Sequence, residues 1–460
     1  MNFSTLMNKY EPRMKQIILI LVAGYLFFAQ FSTQTKYIKL LPVPVPAVLT
    51  LGVGSLLFLY YLLNRERLTE TSEFDKYLKR FLILFVISLA LAVLSAFYTA
   101  TVLHSVEYMS YLKSSMITRI AYYFSFFLFV YFGYRLLVNE PKDMESIVKV
   151  YPLSISLLVA VAFWQLAYFM FNIPFLNLNT RSFVHSVEGV TLFDFRITSF
   201  TNEPSYMGPF LIDLIILAFL FVKRKWVYAV VVLIPTLFIL AFTFSVSAYF
   251  NLVLVIGFLM VYLMFHPRFP KKILWMIPLV GVIGLLGLYI VNPDLLAKFF
   301  SPIWGRRDNL FDPTQSSRIY MYVMPFQWLF DHSFISGLFG FGPGAYEFLA
   351  GTKIVPHTQM SLAISANNMF IDVLFEQGVI GLLLLLTGLI SIAVFLLKNG
   401  MKNMYYFIAL VEYFHLMVTS LYRADYVTPR FWAVLLVIAV LVKIGEMKHK
   451  DKQNVTEWYS

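Results

Sequence analysis

Cysteine is absent from this 460-residue chain, so it can form no disulfide and no thiolate metal site, and its redox compartment stays open. Charged residues are scarce too: 13% of the chain against 60% hydrophobic, with a mean hydropathy of +0.74. A soluble domain of this length could not solvate its surface with so few charges. The apolar residues run in unbroken blocks instead of alternating, which excludes a transmembrane barrel. A Walker loop, a nucleophile-elbow serine, an Asp-x-Asp pair and metal-ligand spacing are all missing, so no metal and no cofactor is expected. No internal repeat is visible, which weighs against an inverted-repeat transporter.

What is present is a series of apolar blocks of roughly 17–24 residues, the length that crosses a hydrocarbon core. About twelve spans are expected, at 16–31, 40–63, 81–103, 116–138, 151–171, 205–222, 226–243, 245–265, 273–291, 374–397, 404–421 and 431–445. The chain therefore reads as an all-α polytopic membrane protein, with one integral membrane domain over 1–460. The seventh and eighth spans are nearly continuous, and Pro235 should loosen the first of them. Lys9, Arg13 and Lys15 precede the first span and no small-x-small site follows it, so it reads as an uncleaved span.

The net charge of +11 needs no nucleic acid to explain it. Most basic residues gather on one set of connections: Arg65, Arg67, Lys76, Lys79 and Arg80, then Lys223-Arg224-Lys225, then Arg268, Lys271 and Lys272. The tail 446–460 adds Lys448, Lys450 and Lys452. The positive-inside rule then assigns both termini to the cytoplasm. On the opposite side the bases are mostly arginine: Arg119, Arg181, Arg196, Arg306, Arg307, Arg318, Arg423 and Arg430. Arginine grips phosphate with a planar two-toothed fork. A phosphorylated ligand at the outer face is expected, beside the plainer option that these arginines pair with loop carboxylates.

Two extracytoplasmic segments are long, about 172–204 and 292–373, and their Phe, Tyr and Leu content argues for packed structure with short helices. The first ends in Arg196-Ile197-Thr198-Ser199-Phe200-Thr201-Asn202-Glu203-Pro204-Ser205. Glu203-Pro204-Ser205 reads as a helix start, with Glu203 as an acid, a base, an arginine partner or merely a helix-end charge. In the second, Ser317-Arg318 opens a helix-like run whose N-terminal end suits a phosphate. Gly340-Phe341-Gly342-Pro343-Gly344 lacks the spacing of a nucleotide fingerprint and reads as loop geometry. His357 is a loop histidine and a candidate base. Beyond Asn367, residues Asn368, Asp372 and Glu376 share one helical face, suited to sugar hydroxyls or to capping. Glu412 and His415 share a face of the eleventh span, with Arg423 and Asp425 just beyond it.

Arg196 to Ser205, Ser317-Arg318, and Asn367-Asn368 followed by Glu376-Gln377-Gly378-Val379-Ile380-Gly381 resemble, in this order, the motifs of the O-antigen polymerase/ligase superfamily. The resemblance covers roughly residues 190–395 and implies a GT-C-like membrane fold. It implies a Wzy-type glycosyltransferase that polymerises undecaprenyl-diphosphate-linked oligosaccharide units into a surface polysaccharide, at the outer face of the cytoplasmic membrane and without metal. The implied partners are the lipid-linked oligosaccharide, the bilayer, a chain-length regulator and a flippase. Glu203, Arg318, Asp372 and Glu376 become catalytic candidates. Arg196, Ser317, His357, Asn367, Asn368, Arg423 and Arg119 become substrate-binding ones. The family often has histidine where this chain has Asn367. That weakens the alternative of a ligase passing the glycan to another acceptor, and it leaves the base open among Glu203, Asp372, Glu376 and His357. Ser245-Val246-Ser247-Ala248 also lacks the arginine of the family's Ser-Arg-Gly. A flippase or transporter of lipid-linked sugars is the other alternative.

Overall fold

The computed structural model describes residues 3–31, 45–65, 68–176, 195–265 and 366–457, and between 283 and 348 the residues 283, 286–287, 289–290, 293–294, 297, 300, 322–323, 325–326, 328–330, 333–346 and 348. Among these the regular structure is helical, with no β-strand. After α1 (Phe3–Phe28) and α2 (Val45–Leu63) come α3 (Asp75–Leu103), α4 (Val106–Val138), α5 (Pro141–Phe171), α6 (Pro204–Phe221), α7 (Lys225–Phe242) and α8 (Val246–Met264). A short α9 (Phe334–Phe339) lies in the second long connection, and α10 (Met369–Asn399), α11 (Met404–Ser420) and α12 (Pro429–Glu457) follow. Among the described residues, seven helices, α3 to α8 and α10, are long and apolar enough to cross a membrane. Most of the expected span 273–291 lies outside the described residues.

The chain divides into two compact units. The first comprises α1 to α4, the start of α5 as far as Ser154, and the residues from Arg318 onward. Helix α3 packs along α10, α2 along α4, and α11 along α12. Helix α12 is buried on every side from Phe431 to Glu446, as expected of a helix apolar all round at the centre of a bundle. Its Trp432 is wrapped by Phe85, Phe126 and Phe127, with ring centroids 5.3–6.3 Å away, and donates its indole N–H to the Tyr426 carbonyl at 2.8 Å. Lipid is as apolar as phenylalanine, so close ring packing and such hydrogen bonds hold this bundle more than apolar burial does.

The connection between α2 and α3 is laced to this centre. Lys443 donates to the Thr71 carbonyl at 2.8 Å, and Glu446 accepts from the Ser72 hydroxyl at 2.6 Å and the Glu73 N–H at 2.7 Å. Arg135 of α4 donates to the Glu70 carbonyl at 2.7 Å.

The second unit holds the rest of α5 with α6, α7 and α8. Gly208 of α6 meets Ala248 of α8 so closely that a side chain there would overlap it. The loosening expected at Pro235 takes a definite form. Residues Tyr228–Leu233 make a π-helical turn ahead of the proline, whose ring has no N–H to offer the preceding turn. Helices α7 and α8 are separate, parted at Phe244, whose φ is 44°.

Candidate functional site

The first unit's site is built on an interrupted helix. Asn368 starts α10: its side-chain oxygen accepts the N–H groups of Phe370 at 2.9 Å and Ile371 at 3.2 Å, and its amide donates to the Leu421 carbonyl at 2.8 Å. Two and a half turns later Gly378 leaves the helix, at φ 73° and ψ −176°. The break releases the Phe375 and Glu376 carbonyls, which must find donors in an apolar surrounding. The glycine loop supplies them: Phe341 N–H reaches the Phe375 carbonyl at 3.1 Å, and Gly342 N–H reaches the Glu376 carbonyl at 2.9 Å. Gly340 and Gly378 both have positive φ, and a side chain at either would overlap the facing backbone. The loop is held from behind by Ser95 on the Gly340 carbonyl at 2.6 Å and Tyr111 on the Pro343 carbonyl at 2.9 Å. Its loop geometry is the expected one, and the partner of that geometry is the helix break.

Just before the break, Asp372 and Glu376 lie one turn apart and are 4% and 3% exposed. Asp372 accepts the Ala366 N–H at 3.0 Å, and Glu376 accepts the Tyr426 hydroxyl at 3.4 Å. Tyr426 stacks on Tyr123 with centroids 5.8 Å apart. Burial pushes the Tyr426 phenol well above its usual range, the charges of Glu376 and Asp372 push it further, and Arg119 opposes them. These groups therefore share one electrostatic neighbourhood, in which Tyr426 stays protonated and donates. Tyr346 is raised likewise, by burial and then by Asp372.

Next to Tyr426, Asp425 is fully buried between Arg423 at 2.8 Å and Arg430 at 2.7 Å. Such a triad is costly to desolvate and holds a geometry more than it adds stability. Arg119, Arg423 and Arg430 set against Asp372, Glu376 and Asp425 leave the formal charge balanced.

A cavity of about 410 Å³ opens beside this neighbourhood. Ser114, Ser115, Thr118, Arg119 and Tyr122 line it from one face of α4, and Gly344 and Val427 close it. Residues Leu112–Met116 of that helix form a π-helical turn, a distortion found often at functional sites. Of this face, sequence reasoning singled out only Arg119. The signal was present: hydroxyl-bearing residues at helical spacing around an arginine, inside an otherwise apolar span.

Asp372, Glu376, Arg119, Asn368 and Arg423 thus belong to the first unit, where Asn368 caps a helix and Arg423 binds Asp425. Asn367 is half-buried beside them, with a φ of 52°. Glu412 and His415 are fully buried on α11.

Arg196 and Glu203 belong to the second unit. Arg196 donates to the Thr243 and Phe244 carbonyls at 3.0 and 3.1 Å, a cation placed on the C-terminal end of α7. Glu203 stands at the N-cap of α6 with Pro204 following, and accepts from the Ser205 hydroxyl at 3.3 Å. Between them the turn is buried and held by Gln165, which accepts the Thr198 and Ser199 N–H groups at 3.0 and 2.7 Å. Ser317, Arg318 and His357 lie outside the described residues. No protein-family model matches the chain, and no curated protein matches it.

Proposed function

We propose that this protein is a Wzy-type polysaccharide polymerase, a metal-independent glycosyltransferase acting on undecaprenyl-diphosphate-linked oligosaccharides at the outer face of the cytoplasmic membrane. The observation that carries the reading is the buried Asp372–Glu376 pair, in the field of Arg119 and beside an open cavity. Polymerisation needs a base for the acceptor hydroxyl and positive charge for the transition state. In this reading Glu376 takes the acceptor proton. The acceptor oxygen forms its bond to the donor's anomeric carbon as the bond to the diphosphate oxygen breaks, and the lipid diphosphate leaves with the electron pair. Both termini are cytoplasmic, and about twelve spans are formed.

A second reading has its own support. Discontinuous membrane helices are frequent in transporters, and α10 is interrupted at Gly378. One experiment separates the two: reconstitution in vesicles with purified lipid-linked repeat units, without nucleotide or metal. The polymerase lengthens the glycan. A transporter carries unaltered units across the bilayer, and that result with no chain growth would retire the enzyme reading.

A further inference from the structure

We infer that the cavity against the Leu112–Met116 turn is the subsite for a neutral polyhydroxyl ligand, the acceptor carbohydrate, and not for the departing diphosphate; the inference rests on the polymerase reading above.

The first argument is the direction of hydroxyl protons. Ser114 donates its hydroxyl proton to the Ser110 carbonyl at 2.8 Å, and Thr118 donates its own to the Ser114 carbonyl at 2.9 Å. Each proton is thereby turned back onto the helix, so both oxygens offer only lone pairs toward the cavity. Phosphate oxygens are acceptors as well and would meet those lone pairs unfavourably. Sugar hydroxyls donate and would be satisfied by them.

The second argument is charge. Arg119 is the cation on the cavity wall, and it lies within the electrostatic reach of Glu376 and Asp372. The field of two carboxylates already acts on that charge, so a diphosphate brought here would add negative charge where the single cation is shared. A neutral sugar adds none, and Arg119 can still donate to its oxygens. The third argument is shape. A volume of about 410 Å³ lies in the range that holds small ligands, and Tyr122 supplies an aromatic wall against which a sugar's C–H face can lie.

The arrangement also fits the chemistry in order. An acceptor held here lies against Arg119, the lining residue that shares the electrostatic field of Glu376 and Asp372, while the diphosphate end of the donor must be received elsewhere.

The test uses the full chain in lipid nanodiscs. The probes are the oligosaccharide released by mild acid from the host's lipid-linked pool, and inorganic diphosphate. Binding is read by titration on wild type, Thr118→Val and Ser114→Ala, with thermal unfolding confirming that each variant is folded. The oligosaccharide should bind the wild type, and Thr118→Val should weaken it at least tenfold. In turnover the same variant should raise KM for the acceptor and leave kcat within about threefold. Inorganic diphosphate should not compete. Competition by diphosphate, no binding by wild type at millimolar oligosaccharide, or unchanged affinity in both variants would overturn the subsite. Oligosaccharide binding that is sensitive to Thr118→Val but accompanied by no chain growth would instead overturn the polymerase reading and leave the sugar site standing.

Discussion

The Arg196–Ser205 turn and the Gly340–Gly344 loop make opposite use of their polar groups. In the first, Arg196 covers the end of α7 and Gln165 holds the Thr198 and Ser199 N–H groups, so the charged and polar side chains fasten backbone. In the second, backbone N–H groups of Phe341 and Gly342 secure the broken α10, and the loop is held in turn by the neutral hydroxyls of Ser95 and Tyr111 instead of by a charged side chain. The side chains of that helix, Asp372 and Glu376, then face Arg119, Tyr426 and the neighbourhood of the cavity. A polar motif is therefore not a site by virtue of its polarity. What matters is whether its side chains or its main chain carry the structural work.

The largest test of this contrast is Gly378→Ala. Left-handed strain and overlap with the Leu338 carbonyl should together cost more than about 3 kcal/mol, read as lost folded yield and a collapsed thermal transition. A normally folded variant would mean that the break is not built by the glycine loop. Next is Glu376→Gln, which keeps shape and burial. The rate of glycan extension should fall about 100-fold or more, while the melting temperature moves by only a few degrees. An active Glu376→Gln enzyme would shift the base to Asp372, Glu203 or His357.

Arg196→Ala should behave in the reverse manner. Losing two hydrogen bonds from a charged donor should destabilise the second unit by about 2 kcal/mol, visible in thermal unfolding, with Arg196→Lys recovering part of it. Unchanged stability with lost polymer would make Arg196 a ligand group after all and erase the contrast. The smallest effect is expected at Gly257, where an added methyl meets nothing within 4 Å. Gly257→Ala should shift stability by no more than about 1 kcal/mol, toward greater stability. A large loss there would point to packing absent from the described residues.

Much of the fold was legible because its causes are local. Apolar runs long enough to span, Pro204 after Glu203, and Asn368 at a helix start each act within a few residues. The common face of Asn368, Asp372 and Glu376 was legible for the same reason. The break at Gly378 was not. A glycine in an apolar helix announces only a weak spot, and what opens this one is a loop more than thirty residues earlier in the chain. The expected span at 374–397 accordingly became a helix that starts at Met369 and is interrupted. The role of Arg196 was hidden similarly, since its carbonyl partners lie 47 and 48 residues away. Nor could composition tell that α12 is the buried centre, because apolar side chains facing protein and facing lipid look alike.

The lacing of the α2–α3 connection onto α12 has a consequence in time. Ser72 and its partner Glu446 are 374 residues apart. At a synthesis rate of about 5–20 residues per second, roughly 20–75 s separate their emergence from the ribosome. Once α3 and α4 have followed, they and α2 wait for most of that interval without α12, the helix they pack against in the finished fold. The first unit therefore completes its core only after residues 155–317 of the second unit have been synthesised.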